Sequence, residues 1–467
     1  MLGRTRHVHF VGIGGIGMSG IAELLANLGY MVSGSDEKRS AVTERLSSLG
    51  IRVAYGHDAA NVGAADVVVT SAAVRPANAE VREAVRRRIP TIPRAEMLAE
   101  LMRLRYAIAV AGSHGKTTTS SMIAFVLERA GFDPTAVIGG RLRAFGSNAR
   151  LGRGEWMVAE ADESDRSFLK LFPTIAVITN IDREHLENYG SFEDLQGAFA
   201  DFANKVPFYG AVVVCADDPP LAAMVPKMTR RVTTYGLAAG ADLTAVDFSA
   251  AGLGMTATVR RRAAPGVDSP DSATTLGTLV LGVPGRHNLQ NALAAVAVGL
   301  ELGLSFEQVA GGLREFRGAE RRFDVRGDVN GVLVVDDYGH HPTEIAAVLA
   351  AARALHRRIV VAFQPHRFTR TALLMEEFGA AFRGVDHIIL TDIYAAGEEP
   401  IAGVTVEVLA ETIRRRTGVR VDIVAQLDAV VPAVVAAAKR GDLVLLLGAG
   451  SIGSIPDRVV AGLQGAA

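Results

Sequence analysis

Residues 7–17 read His-Val-His-Phe-Val-Gly-Ile-Gly-Gly-Ile-Gly, and this stretch decides the first unit of the fold. Its first five residues predict a short buried strand, and the segment from Met18 to Leu28 predicts a helix. The glycines between them form a G-x-G-x-x-G turn, in which the backbone can approach a diphosphate at a helix N-terminus. Asp36 follows at the end of the next predicted strand, where its carboxylate can accept hydrogen bonds from ribose hydroxyls. The stretch predicts a nucleotide site, and NAD or any other ribose diphosphate satisfies the same physics.

Short buried strands alternate with Ala- and Leu-rich helical segments along the rest of the chain. This alternation predicts an α/β fold with parallel sheets covered on both faces. The further predicted strands are 30–33, 67–70, 107–110, 156–159, 175–179, 332–335, 359–362, 387–390 and 443–447. Residues 256–283 differ and predict a β-hairpin around a long polar loop. A basic helical stretch before residue 105 and an arginine-rich link before residue 317 predict three domains, 1–104, 105–316 and 317–467.

The composition excludes several classes of protein. Hydrophobic residues make up 49% and charged residues 21%, as in globular proteins, so disordered and fibrous classes are excluded. The net charge of −1 provides no bulk attraction to nucleic acid or to a membrane surface. The single cysteine, Cys215, excludes a disulfide framework and fits a reducing compartment. The apolar runs are too short for a spanning helix, so we expect a cytoplasmic protein.

A second glycine loop follows the predicted strand that ends at Val110. Residues 111–119 read Ala-Gly-Ser-His-Gly-Lys-Thr-Thr-Thr and open a predicted helix. In such a loop, backbone N–H groups bind phosphates, Lys116 reaches the β- and γ-oxygens, and the Thr117 hydroxyl binds Mg²⁺. Val110 stands where the usual P-loop has its first glycine, so the loop is the shorter form G-x-x-G-K-T. Two nucleotide-type loops on one chain predict an ATP-driven reaction on a nucleotide-carried substrate.

Polar side chains follow the next predicted strands. Glu160 ends the strand 156–159 and begins the run Glu-Ala-Asp-Glu-Ser-Asp. Carboxyl ends of strands meet at one sheet edge, and carboxylate oxygens suit Mg²⁺, so we interpret Glu160 as a metal ligand. Asp162 and Asp165 fit an acidic helix N-terminus equally well. His185 lies at the same predicted edge, after the strand 175–179.

Three further clusters lie beyond the middle of the chain. Asn288 and Asn291 open an Ala-rich helix, where amides either cap the helix or read an adenine edge. Residues 336–344 read Asp-Asp-Tyr-Gly-His-His-Pro-Thr-Glu, and residues 363–370 read Phe-Gln-Pro-His-Arg-Phe-Thr-Arg, each after a predicted strand. The two arginines of the second run can face one point, which suits a carboxylate or a phosphate. The G-x-G-x-x-G run at 448–453 predicts only a tight turn, because no acidic partner follows it.

Taken together, these motifs resemble the Mur ligase family of peptidoglycan synthesis. The family's motifs occur here in its own order and span nearly the whole chain. They begin at Gly12, Gly112, Glu160, Asp337 and Gln364. The resemblance implies a Rossmann-like UDP-binding domain, a central P-loop ATPase-type domain and a Rossmann-like C-terminal amino-acid domain.

The resemblance also implies the reaction. ATP phosphorylates the lactyl carboxylate of UDP-N-acetylmuramate, and the amine of L-alanine attacks the acyl phosphate. The implied cofactors are ATP and Mg²⁺. The implied partners are these small substrates, with no nucleic acid and no membrane, and the chain is expected to be a monomer or a homodimer.

The site residues carried over from the resemblance form four groups. The resemblance implies that the first group binds a UDP-sugar and not NAD. The UDP-sugar group is Gly12, Gly14, Gly15, Gly17, Met18, Ser19, Asp36 and Ser71. The ATP group is Gly112, Ser113, His114, Gly115, Lys116, Thr117, Thr118, Asn288, Asn291 and Arg322. The metal ligands are Thr117, Glu160 and His185, and the amino-acid group is Tyr338, His340, Arg367 and Arg370. Lys116 and His185 are the expected catalytic residues.

The sequence departs from the family pattern at two places. The family's Asp-His-Met-Asp segment keeps only its histidine, His185. Ala200 stands where several sister ligases carry a carbamylated lysine. The alanine-adding branch of the family also lacks that lysine, so Ala200 supports this branch. A ligase that recycles a murein tripeptide is an alternative, although Tyr338 and Gly339 argue against it. An NAD-dependent oxidoreductase and a non-catalytic nucleotide-binding regulator are alternatives from other classes.

Overall fold

The computed structural model describes residues 3–71, 73–142, 147–263 and 273–465. Three sheets run along the chain, and the chain divides into two compact units. The first unit comprises Met1–Asp247, Ala257–Val280 and Gln290–Phe316, and the second comprises Phe248–Thr256, Leu281–Leu289 and Arg317–Ala467. Among the described residues, no helix is both long enough and apolar enough to cross a membrane.

The first sheet has five parallel strands in the order β3-β2-β1-β4-β5. Its strands are β1 (His7–Val11), β2 (Met31–Asp36), β3 (Arg52–Tyr55), β4 (Val67–Thr70) and β5 (Thr91–Pro93). Its helices are α1 (Ile16–Asn27), α2 (Ala41–Ser48), α3 (Ala79–Arg86) and α4 (Arg94–Met102), with a 3₁₀ turn at Ala59–Val62. The strand order reverses beside β1, so the glycine turn lies at the switch point where such sheets bind ligands.

The second sheet has ten strands in the order β15-β14-β13-β12-β11-β10-β6-β9-β7-β8. Its strands are β6 (Tyr106–Ala111), β7 (Thr135–Leu142), β8 (Ser147–Arg150), β9 (Trp156–Glu160), β10 (Ile175–Ile178), β11 (Ala211–Cys215), β12 (Val232–Gly236), β13 (Leu243–Ala251), β14 (Gly254–Arg262) and β15 (Ala273–Leu281). Its helices are α5 (Lys116–Arg129), α6 (Phe192–Asn204), α7 (Pro219–Met224), α8 (Arg286–Glu301) and α9 (Phe306–Glu315), with 3₁₀ turns at Ser167–Lys170, Leu186–Asn188 and Val225–Lys227. Because β6 pairs in parallel with β9 and β10, the motifs after these three strands share one edge.

The third sheet has six strands in the order β16-β17-β21-β18-β19-β20, and only β16 runs antiparallel to its neighbour. Its strands are β16 (Asp324–Val329), β17 (Val332–Asp337), β18 (Ile359–Phe363), β19 (His387–Leu390), β20 (Arg420–Ile423) and β21 (Leu443–Leu447). Its helices are α10 (Pro342–Arg353), α11 (Phe368–Leu373), α12 (Met375–Ala381), α13 (Val406–Thr417), α14 (Leu427–Ala437) and α15 (Pro456–Gly465), with a 3₁₀ turn at Ser451–Ser454. Alternate residues of β21 enter separate apolar clusters on the two faces, which explains its unbroken apolar sequence.

The predicted α/β fold is confirmed, and the predicted strands differ from the observed ones mainly at their ends. Helix α1 begins at Ile16 rather than at Met18, because the glycine turn leads directly into it. The predicted hairpin corresponds to β14 and β15, and its loop at 264–272 lies outside the described residues. The run at 448–453 forms a tight turn, with Gly448 at a φ of 141°. The predicted boundaries after 104 and 316 stay predictions.

Candidate active site

The phosphate loop joins β6 to α5 through two glycines with positive φ. Gly112 has a φ of 131°, and Gly115, the N-cap of α5, has a φ of 82°. A Cβ at Gly112 would overlap the Thr179 hydroxyl. The His114 amide donates to Asn180 Oδ1 at 2.8 Å, and the Thr179 hydroxyl donates to the His114 carbonyl at 2.6 Å. The residues that follow β10 therefore fix the shape of this loop, and loops of this type are suited to phosphates.

Lys116 lies in this loop and pairs with a buried acid. Its Nζ donates to Glu163 Oε1 and Oε2 at 2.9 and 2.8 Å, and to the Gly112 carbonyl at 2.6 Å. Glu163 is only 2% exposed, and burial raises the pKa of its carboxyl to about 7, while Lys116 acts in the opposite direction. Burial lowers the pKa of Lys116, but the carboxylates of Glu163, Asp162 and Glu160 together outweigh it and raise that pKa overall. Lys116 is therefore a cation that lies at the loop. Its partner Glu163 was not among the residues expected at this site from the sequence.

Two of the three expected metal ligands lie together. The Thr117 hydroxyl is 3.3 Å from Glu160 Oε2, and the Gly139 amide donates to Glu160 Oε1 at 2.6 Å. A hydroxyl and a carboxylate beside a phosphate loop are the hard oxygen donors that Mg²⁺ prefers, so these residues fit the ion. The third, His185, has a left-handed φ of 58°, and its Nδ1 lies 3.8 Å from Glu187 Oε1. Its role as a ligand stays a prediction.

The two candidate adenine residues lie in different surroundings. Asn291 accepts a hydrogen bond from the Thr119 hydroxyl at 3.1 Å and lies against Gly115, so this residue of α8 contacts the phosphate loop. Asn288 is buried and donates to the Pro284 carbonyl at 2.7 Å, which braces the start of α8.

The first glycine turn is fixed by Asp36. The Gly14 amide donates to Asp36 Oδ2 at 2.8 Å, and the Gly12 and Ile13 amides both donate to the Ser35 carbonyl at 2.9 Å. One oxygen of Asp36 therefore holds the turn. Met18 and Ser19, also expected at this site, are buried in the first turns of α1. Ser71 directly follows β4 at the same sheet edge, and its carbonyl accepts a bond from the Val74 amide.

The second unit contains an aromatic and cationic cluster. His340 packs edge-on against Tyr338 and against His366, with centroids 5.4 and 5.5 Å apart. His366 stacks on Tyr394 at 5.6 Å, and Arg370 Nη1 lies 3.3 Å from His366 Nδ1. Burial, His340 and the nearby arginines lower the pKa of His366 to about 3, so its ring is neutral. The structure thus joins three of the four expected amino-acid residues through His366, which the sequence analysis left without a role.

Arginines surround this cluster. Arg367 has a left-handed φ of 72°, and its Nε lies 3.9 Å from Glu398 Oε1. Arg322, expected at ATP, lies in the second unit with its guanidinium 5.1 Å from the Tyr338 ring centroid and 3.7 Å from Glu344 Oε1. Aromatic rings beside several guanidinium groups fit a small carboxylate-bearing ligand.

Three features fit an ATP-dependent ligase that forms amide bonds. They are the glycine loop with Lys116, the oxygen-donor pair of Thr117 and Glu160, and the cluster of aromatic rings and guanidinium groups in the second unit. Comparison with protein families identifies the class more narrowly. Residues 7–106 match the Mur ligase family catalytic domain, residues 110–299 the Mur ligase middle domain, and residues 321–450 the Mur ligase glutamate ligase domain. The chain belongs to the Mur ligase family, and the resemblance seen in its motifs is confirmed.

Curated relatives and solved structures agree with this assignment. The chain is 53% identical over 465 residues to the UDP-N-acetylmuramate–L-alanine ligase of Geotalea daltonii, covering 99% of each chain. It is 54% identical over 454 residues to the enzyme of the same name from an Anaeromyxobacter species, covering 96% of each. The crystal structure of the UDP-N-acetylmuramate–alanine ligase of Thermotoga maritima superposes with a TM-score of 0.83 at 30% identity, covering 99% of this chain and 100% of that one. A murein peptide ligase of Psychrobacter arcticus gives 0.71 at 26% identity, covering 98% of each.

Proposed function

We propose that this protein joins L-alanine to the lactyl carboxylate of UDP-N-acetylmuramate. The products are UDP-N-acetylmuramoyl-L-alanine, ADP and phosphate. This reaction is a step in the synthesis of peptidoglycan precursors. The observation that carries the proposal is the glycine loop between β6 and α5, where the buried Glu163 carboxylate holds the Lys116 ammonium beside the loop. The full-length identity to ligases named for this reaction supports the choice of substrates.

The chemistry requires activation of the carboxylate, which is a poor electrophile. An oxygen of the lactyl carboxylate attacks the γ-phosphorus of ATP, the bond to the β-phosphate oxygen breaks, and ADP leaves. The alanine amine then attacks the acyl carbon, loses a proton and expels phosphate. Two anions must meet in the first step, and the Lys116 ammonium stabilises the charge that develops between them.

Thr117, Glu160 and His185 would hold Mg²⁺. When bound, this ion neutralises charge on the β- and γ-phosphate oxygens. The short separation of the Thr117 hydroxyl and the Glu160 carboxylate supports this set of donors. His185 completes it by its position after β10, the strand that neighbours β6.

The amino-acid end of the reaction belongs to the cluster in the second unit. Arg370 and Arg367 would bind the alanine carboxylate, and Tyr338 and His340 would line the space beside it. Because His366 is neutral, its Nδ1 can accept a bond from Arg370 and fix that guanidinium. Asp36 and the glycine turn would bind the UDP end of the other substrate. We further infer a cytoplasmic enzyme, because ATP and sugar nucleotides are cytoplasmic metabolites. A monomer or a homodimer stays a prediction.

The recycling of a murein tripeptide on the same sugar nucleotide is the second candidate. Identities above 50% to alanine ligases, against 26% to a murein peptide ligase, do not favour it.

The proposal is tested by product analysis with labelled substrate. The purified protein is incubated with ATP, Mg²⁺, L-alanine and UDP-N-acetylmuramate that carries ¹⁸O in the lactyl carboxylate. We expect the alanine adduct by mass spectrometry and one ¹⁸O atom in each phosphate released, because the acyl phosphate passes that oxygen to phosphate. Lys116→Ala should give neither. Adduct without ¹⁸O in the phosphate would contradict the acyl-phosphate route, and wild-type turnover by Lys116→Ala would contradict the assigned site.

A further inference from the structure

Arg94 occupies a position that the reaction as described does not explain. It is the first residue of α4, and its side chain reaches the first turn of α1. A Cβ at Gly17 would fall 2.5 Å from Arg94 Nη1 and 3.1 Å from its Cζ. Gly17 is therefore needed for more than the turn, because any side chain there would displace the guanidinium.

Arg94 adds a positive charge beside the start of α1, where the Gly14 amide is already bound by Asp36 Oδ2. The N-terminus of a helix carries partial positive charge, so a cation beside it is repelled. The first turn of α1 has no acidic residue, and its N-cap, Gly15, makes no side-chain capping bond. An arginine at this place raises the positive potential further.

Arg94 has an ion-pair partner in the fold. Arg94 Nη2 donates to Asp162 Oδ2 at 3.1 Å, and the Asp162 side chain is 39% exposed. Because this carboxylate is partly exposed, an incoming anion can take its place on the guanidinium.

We propose that Arg94 binds the diphosphate of the sugar nucleotide, which takes the place of Asp162 on the guanidinium. Arginine presents paired N–H groups that match phosphate oxygens, and the α1 N-terminus contributes backbone N–H groups to the same anion. The absence of a side chain at Gly17 leaves room for this guanidinium beside the turn. The proposal rests on the proposed function, because it assigns a binding residue to the sugar-nucleotide substrate.

The test separates the diphosphate from the rest of the substrate. Calorimetry measures the affinity of the full-length protein for uridine, UDP, UDP-N-acetylmuramate and ADP. We expect Arg94→Ala to weaken UDP and UDP-N-acetylmuramate about 10- to 100-fold, the usual range for a lost charged hydrogen bond. Uridine and ADP should bind as in the wild type. Arg94→Lys should recover part of the affinity for UDP, because it keeps the charge but not the paired geometry.

Matched variants exclude indirect effects. Arg103→Ala removes an exposed arginine that follows α4 and pairs with Glu100, and it should leave all four affinities unchanged. Asp162→Asn tests whether Arg94 acts only through its ion pair. We expect this variant to bind UDP as tightly as the wild type or more tightly, because the guanidinium is released to the phosphate.

Four results would overturn the proposal. Equal loss for uridine and UDP in Arg94→Ala, or a loss of ADP binding, would show a structural role. A loss confined to UDP-N-acetylmuramate would place Arg94 on the lactyl carboxylate instead. Weakening by Asp162→Asn to the level of Arg94→Ala would show that the ion pair alone matters. If UDP binding depends on Arg94 but no alanine adduct forms, the proposed function fails and this inference stands.

Discussion

Replacing Lys116 with methionine tests the buried pair in the phosphate loop, because it keeps the length of the side chain and removes its charge. The Glu163 carboxyl has an ordinary pKa of 4.5, and in the folded protein burial raises that pKa to about 7. The folded state therefore holds more protons than the unfolded state between these two pH values, and stability falls as pH rises through that window. The loss amounts to about 3.4 kcal/mol, at about 1.36 kcal/mol per pH unit.

In the wild type this loss levels off as pH rises past 7, because the carboxyl is then ionised in both states. Without Lys116 the pKa of Glu163 rises further, so its carboxyl stays protonated in the folded variant and the loss continues. We expect Lys116→Met to lose about 1.4 kcal/mol more than the wild type for each pH unit above 7. For a domain of roughly 200 residues this corresponds to about 3–6 °C in the melting temperature.

The assay compares melting temperatures of both proteins between pH 6 and pH 8.5. The matched control is Lys116→Met combined with Glu163→Gln. The glutamine amide does not titrate, so above pH 7 the melting curve of this double variant should run parallel to that of the wild type. Parallel curves for the wild type and Lys116→Met above pH 7 would refute the reasoning, as would an extra slope that persists in the double variant. Phosphate release by Lys116→Met should be absent at every pH.

Three other changes address the remaining parts of the site. Asn291→Ala should raise the KM for ATP several-fold and leave the KM for L-alanine unchanged, and equal changes in both would contradict its place beside the phosphate loop. Gly112→Ala forces a side chain onto the Thr179 hydroxyl at a φ of 131° and should abolish ATP binding in calorimetry, whereas Gly131→Ala, with open space around it, should not. Arg370→Lys should raise the KM for L-alanine at least about tenfold, the cost of a lost charged hydrogen bond, without changing the KM for ATP, and a wild-type value would remove Arg370 from the amino-acid site.

The positions of the strands and of the motifs that follow them could be predicted from the sequence. Strands buried on both faces have unbroken apolar sequences, as in β21, and the polar residues that follow parallel strands must meet at one edge. The order of strands and motifs along the chain therefore predicts that Lys116, Thr117 and Glu160 share an edge, and Thr117 does contact Glu160 in the fold.

The sequence could not assign partners within a motif or between distant segments. Three acids follow β9 within a few residues, and only the turn after that strand directs Glu163 to Lys116 and Asp162 to Arg94. The approach of Arg94 to Gly17 depends on the packing of α4 beside α1, which has no local signal. The neutral state of His366 likewise depends on burial and on arginines brought close by the fold.

Phosphate release from ATP with UDP-N-acetylmuramate and different amino acceptors tests the central claim most directly. L-alanine, D-glutamate and the recycled murein tripeptide are supplied one at a time, with Mg²⁺ present and with an EDTA-treated control. We expect phosphate release with L-alanine alone, and no phosphate release after removal of the metal. Release only with the tripeptide, or release with none of the three, would contradict it.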